Sequence, residues 1–285
     1  MTFKSHIPDS ARLNNAKTGE TAGITLAVSG HWQRFPGKFD WIADHGFALE
    51  YAPDPDHFDR VKSHLLPYVG RHVPLRHHAY FPGFEIGDPD PLRAEAAMKI
   101  HFQALDAICG IGSQVVTVHV GLPPFRPLNH DRVKKNLTNL VTYGKIRGIQ
   151  VNLENLRIGP TSHPEILLEW VGVSGANITM DIGHAVSCDS VKQGEYTVPE
   201  MVDLFSPKLD EVHLYESETD THHAPKDLSI LGPIFDRLVL TDCRWWTIEL
   251  EDYQKILHTR RLVIQYLAKS KGSFSRLDSH QLSDA

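Results

Sequence analysis

Thiols are scarce in this chain of 285 residues. Its three cysteines, Cys109, Cys188 and Cys243, lie far apart with no CxxC or comparable spacing. That excludes a disulfide framework and a zinc knuckle, and leaves ordinary intracellular thiols. Long apolar runs are missing as well: nowhere do about 18 consecutive apolar residues occur, so no segment reads as a membrane-spanning helix. The opening residues MTFKSHIPDSARLNNAKTGE carry no apolar stretch of the secretory kind, and a soluble, cytoplasmic protein is expected. Nor is there a surplus of positive charge. With 29 Lys+Arg against 35 Asp+Glu the net charge is −6, which disfavours broad nucleic-acid binding and leaves room only for a local basic groove.

What the chain does have is histidine, 18 residues of it, and a hydrophobic content of 41% that suffices for a large core. Short β-branched runs alternate with amphipathic segments. The predicted strands are ITLAV (24–28), FALEY (47–51), VPLRHH (73–78), QVVTVHV (114–120), QVNLEN (150–155), NITMDI (177–182), DEVHLYE (210–216) and RWWTIEL (244–250). Between them, sets such as Met98, Phe102, Leu105 and Ile108, or Val133, Leu137, Leu140 and Val141, make one apolar stripe per helix. Gly112, Gly148 and Gly175 mark returns from helix to strand. Eight βα units in about 250 residues predict a single-domain (β/α)8 TIM barrel. Its expected limits are 23–268, with an N-terminal extension over 1–22 and a polar, Ser-rich C-terminal tail over 269–285.

The strands share a second pattern. Val116 and Val118 alternate with Thr117 and His119; Val151 and Leu153 with Asn152 and Glu154; Ile178 and Met180 with Thr179 and Asp181. The same holds for Val212 and Leu214 against Glu211 and His213, and for Ile248 and Leu250 against Thr247 and Glu249. Strand side chains alternate between faces, so each strand has an apolar face for the helices and a polar face for the barrel interior. His119, Glu154, Asp181, His213 and Glu249 end those polar faces, about one βα unit apart, and should converge at the C-terminal mouth where barrel active sites lie. Carboxylates at such range repel unless a cation neutralises them. Mixed Asp, Glu and His donors suit Zn²⁺, Mn²⁺, Co²⁺ or Mg²⁺, with no thiolate to narrow the choice. In MDIGHA, Asp181 would end strand six as a ligand, Gly183 would allow the turn, and His184 would re-enter the site from above.

LENLR, MDIGHA, VHLYESETDTHH and TIELED resemble the xylose-isomerase-like TIM-barrel superfamily, over roughly residues 24–268. That superfamily holds sugar and sugar-phosphate isomerases and epimerases together with endonuclease IV. The resemblance implies a four-ligand metal core at Glu154, Asp181, His213 and Glu249, with His184 beside the substrate or on a further ion. It also implies possible extra ligands at His78, His119, Asp220 and His222, and so more than one ion. At strand three, alternation with Val73 and Leu75 turns His78 inward, whereas a His-x-x-Tyr reading ending at Tyr80 favours His77; His78 is preferred.

The expected chemistry is divalent-metal-dependent isomerisation or epimerisation of a sugar, sugar phosphate or related hydroxy-carbonyl compound. Glu154 and Glu249 would move a carbon-bound proton and His184 would orient a substrate oxygen. Glu50, Arg157 and Lys226 are candidate substrate-binding residues, each with a structural ion pair or a solvated surface as its competing reading. The alternative is multinuclear hydrolysis of a phosphodiester, disfavoured by the acidic balance. A barrel that binds metal or sugar without turnover ranks third, because both glutamates are present. The expected partner is a small carbohydrate, with no membrane. The sequence carries no sign of oligomeric state.

Overall fold

Eight runs of alternating polarity become eight parallel strands, because only a closed sheet satisfies every strand edge while exposing one face to helices. A computed structural model describes residues 20–21, 23–124 and 127–281. The barrel strands are β1 (Ile24–His31), β2 (Ala48–Ala52), β3 (Leu75–Ala79), β4 (Val115–Val118), β5 (Gln150–Glu154), β6 (Asn177–Asp181), β7 (Leu209–Leu214) and β8 (Trp245–Ile248). Each pairs in parallel with its neighbours, and β8 pairs with β1, closing the cylinder. The architecture is the expected single-domain (β/α)8 barrel.

Outward residues such as Val116, Val151, Leu153, Met180, Val212 and Ile248 are buried beneath the helices, each contributing about 1.5–3 kcal/mol if fully removed from water. The helices end where the sequence says they should. Helix Pro164–Ser174 stops at Gly175, whose left-handed backbone (φ 77°) lets its N–H reach Val171 O, as a glycine terminus requires.

The inward residues form two levels. At the base, Thr117 and Thr179 share a hydrogen bond of 2.7 Å, and Arg76 Nη1 donates to Asp210 Oδ2 (2.8 Å) and Glu211 Oε2 (3.1 Å). Thr247 Oγ1 donates to Glu211 Oε1 at 2.7 Å. Burial still pushes the Glu211 carboxyl up to about 7. Above this hydrogen-bonded polar plug lies the level where the site's titratable groups meet.

Regular structure extends beyond residues 23–268 at both ends of the described chain. Residues Glu20–Thr21 pair antiparallel with the start of β1, so the extension contributes to the sheet; residues 1–19 and 22 lie outside the described residues. The closing helix runs Tyr253–Gln281, carrying α-helix through most of the segment expected as a polar tail. Positions 282–285 lie outside the described residues. Among the described residues no helix is long and apolar enough to cross a membrane.

Candidate metal centre

The strand ends bring Glu50, His78, Glu154, Asp181 and His213 to one level. His119 and Glu249 follow directly after β4 and β8, and His184 sits one helical turn beyond β6. A cavity of about 490 Å³ opens above them, lined by His78, His119, Glu154, His184 and Glu249 among others.

Glu154 is the hub. Its Oε2 lies 2.8 Å from His119 Nε2 and 3.4 Å from both His78 Nε2 and His213 Nδ1. Glu249 Oε1 lies 3.5 Å from His78 Nδ1 and 3.6 Å from His213 Nδ1. Despite these separations, Glu154 Oε2, Asp181 Oδ2 and His213 Nδ1 are buried without a hydrogen bond. Buried polar atoms are nearly always paired. A convergent set left unpaired needs another occupant.

Neighbouring groups fix which imidazole nitrogens are free. Glu50 Oε1 accepts from His213 Nε2 at 3.0 Å, which leaves Nδ1 as the ring nitrogen turned toward Glu154 and Glu249. The Asn155 carbonyl accepts from His184 Nδ1 at 2.9 Å, and the Glu249 carbonyl accepts from His222 Nδ1 at 2.8 Å. A carbonyl only accepts, so Nδ1 carries the proton in both rings and Nε2 is left as a donor atom for a cation. Those two Nε2 atoms face Glu218, at 3.4 Å from Oε2 and 3.9 Å from Oε1 respectively.

The backbone explains the Asp-x-x-His spacing. Asp181 is the N-cap of the helix Ile182–Ser187, its Oδ1 accepting from His184 N at 2.7 Å while Oδ2 stays free. This corrects the reading of Gly183 as a turn: it sits inside that helix, and a methyl group there would run into the Tyr215 ring. Glycine is needed for the close approach of helix to strand. Asn155 fixes the next strand end by a reciprocal clip, accepting from Asp181 N (2.8 Å) and donating to Asp181 O (2.9 Å).

Charges in the set hold one another. Burial opposes ionisation of every member, and mutual attraction decides the outcome. Despite burial, His78 is raised well above the usual imidazole range by Glu50 and by bonds to Glu154 and Glu249, and His213 is raised by Glu249, Glu50 and Glu154. The same pairs hold Glu154 well below the carboxylate range through His119 and His213, and Glu249 down at about 2 through His213 and His78. Asp181 goes the other way, pushed up to about 7 by burial.

Two candidate residues fall outside this arrangement. Asp220 is exposed on the turn of a small hairpin, Ser217–Glu218 against His222–His223. That register pairs Glu218 with His222, so Glu218 stands beside His184 where Asp220 was expected, and a correction follows: among the described residues Asp220 belongs to no cluster of donor atoms. Lys226 is also displaced, lining a separate surface groove instead of the cavity. Arg157 does line the cavity but is held by Glu218 (Nε to Oε2, 2.8 Å). Glu50 reaches the site as the partner of His213. At strand three, His78 faces inward and His77 faces outward, bonding Ile111 O at 2.8 Å. Glu218 and Asn155 are the residues that the sequence reading missed. The offset of four between Glu218 and His222 shows as a signal only once the hairpin register is known.

Among the described residues four groups of three or four donors emerge: Glu50/His78/His213/Glu249, His78/His119/Glu154, Glu154/Asp181/His184 and His184/Glu218/His222. Oxygen and imidazole donors with orphaned, buried lone pairs fit a divalent cation, and the groups beyond the innermost offer room for more than one.

No family model matches the chain. An uncharacterized protein of Methanocaldococcus jannaschii, MJ0008, is 31% identical over 157 residues, 55% of this chain and 68% of that protein. Among solved structures, a D-tagatose 3-epimerase-like protein superposes with a TM-score of 0.71 at 19% identity, covering 88% of this chain and 100% of the other. Endonuclease IV from Thermus thermophilus superposes at 0.60 and 16% identity, covering 86% and 99%. The chain therefore belongs to one family with the Methanocaldococcus protein and shares the (β/α)8 barrel fold of these solved structures.

Proposed function

We propose that the protein is a divalent-metal-dependent isomerase or epimerase of a small carbohydrate or related hydroxy-carbonyl compound. One observation carries the reading: two buried carboxylates, Glu154 and Glu249, approach the same unpartnered nitrogen, His213 Nδ1, at 3.4 and 3.6 Å. They do so below a cavity of about 490 Å³. Glu154, Asp181, His213 and Glu249 are the residues that would hold the principal cation, with His78, His119, His184, Glu218 and His222 available to others. A divalent ion bound there supplies Lewis acidity toward adjacent carbonyl and hydroxyl oxygens.

The chain's own residues do the rest. One of the two glutamates takes the proton from the carbon beside the carbonyl, becoming a carboxylic acid as the electron pair moves toward the carbonyl oxygen. The other returns a proton from the opposite side, and no redox partner is required. His184 offers Nε2 to a substrate hydroxyl. Leu122, Leu156 and Ile158 line the cavity wall and limit water at the reacting carbon. The outer group His184/Glu218/His222 favours a second reading, multinuclear hydrolysis of a phosphodiester, which draws on the same donors.

Turnover of the Glu249→Gln variant tests the first reading. With metal content preserved, isomerisation of the responsive sugar should fall by about 10²–10⁴-fold, the usual contribution of a general acid or base. Metal-dependent cleavage of an abasic-site duplex, with no sugar converted, would replace it by the second reading.

A further inference from the structure

A groove of about 760 Å³ lies between the first turns of the closing helix and the loop that follows β7. Lys226, Lys255, Arg261, His223 and His258 line it, against one carboxylate, Glu216. It shares no residue with the candidate metal centre's cavity. Several arginines elsewhere are paired with carboxylates, as Arg71 with Asp44, Arg147 with Asp106 and Arg237 with Asp203. Lys226, Lys255 and Arg261 have no ion pair among the described residues. Three permanent cations thus share one concavity in a chain whose net charge is −6.

The walls are fixed from both sides. His258 Nε2 bonds Lys226 O at 3.2 Å, tying helix to loop, and Glu216 N donates to His223 O at 2.8 Å, closing the hairpin base. The helix N-terminus is not what would draw a ligand, because Asp252 Oδ1 already accepts from Lys255 N. We propose that this groove is an anion site for a small phosphate-bearing ligand. A phosphate monoester carries about −1.5 to −2 near neutral pH. Lys226, Lys255 and Arg261 less the Glu216 carboxylate leave a charge that one such group balances. The hairpin joins this groove to the cavity: successive strand residues face opposite sides, so Glu218 and His222 turn to the mouth while Ser217 and His223 line the groove.

Calorimetric titration of the metal-loaded protein with ADP, at constant ionic strength, tests the assignment, with adenosine as the phosphate-free control. ADP should bind and adenosine should not. The double variant Lys226→Gln/Arg261→Gln should bind ADP at least tenfold more weakly, whereas Arg157→Gln, at a residue that lines the cavity and not the groove, should bind it as the parent does. Both groove side chains are exposed, and an unchanged melting curve of the double variant will verify its fold. Absence of ADP binding, equal affinity in the double variant, or loss of binding in Arg157→Gln alone would each overturn the groove as the site.

Discussion

Asp181 divides its two oxygens between structure and chemistry. Oδ1 caps a helix through His184 N, and Oδ2 is buried without a partner. Asparagine caps a helix about as well as aspartate but presents a neutral donor to a cation. Asp181→Asn should therefore keep the metal-free melting temperature close to that of the parent and lower metal affinity at least tenfold. Asp181→Ala should lose both, the missing cap costing about 0.5–2 kcal/mol. Metal content by elemental analysis and melting of metal-free protein separate the two effects. Equal metal content in all three proteins would remove Asp181 from the centre. His213 shows the same division, with Nε2 given to Glu50 and Nδ1 to the site.

At the scale of elements, the centre depends on how adjacent strand ends are locked together. Asn155 joins the end of β5 to the end of β6 by two buried hydrogen bonds, and thereby sets Glu154 against Asp181. Asn155→Leu would leave a buried N–H and a buried carbonyl of Asp181 unpaired, at about 1–3 kcal/mol each. Residues that orient metal ligands typically change metal affinity by about 10–100-fold when replaced. A chemical-denaturation curve and a metal titration on this variant should show both losses; a stability loss with unaltered affinity would reduce Asn155 to a purely structural tie. All eight strands and the inward set from His119 to Glu249 are legible in the sequence, because alternation with a period of two survives in any strand whose faces meet different surroundings. Hairpin register leaves no such trace. Whether Glu218 or Asp220 opposes His222 depends on the two residues at which the ladder closes, so sequence alone passes over Glu218 and puts Asp220 in its place. Gly183 misleads for a related reason: a glycine required for close approach to Tyr215 looks the same in sequence as one required for a turn.

For the whole molecule, the barrel acts as a device that collects one polar strand end from each βα unit at a single mouth. The base is neutralised internally by Arg76, Asp210, Glu211 and Thr247, while the mouth keeps its buried lone pairs unpaired. The helical extent of the C-terminal segment is hidden in the sequence because helix Tyr253–Gln281 runs into a segment whose polar composition reads as a tail. The measurement that bears most directly on the proposed chemistry is exchange of a substrate carbon-bound hydrogen with solvent. Metal-reconstituted protein, incubated in deuterated water with ketoses, aldoses and their phosphates, should place deuterium on the carbon beside the carbonyl of the responsive sugar, and Glu154→Gln together with Glu249→Gln should abolish the uptake. Deuterium incorporation that survives both substitutions, or cleavage of an abasic-site duplex without deuterium in any sugar, would contradict a proton-transfer function for the two glutamates.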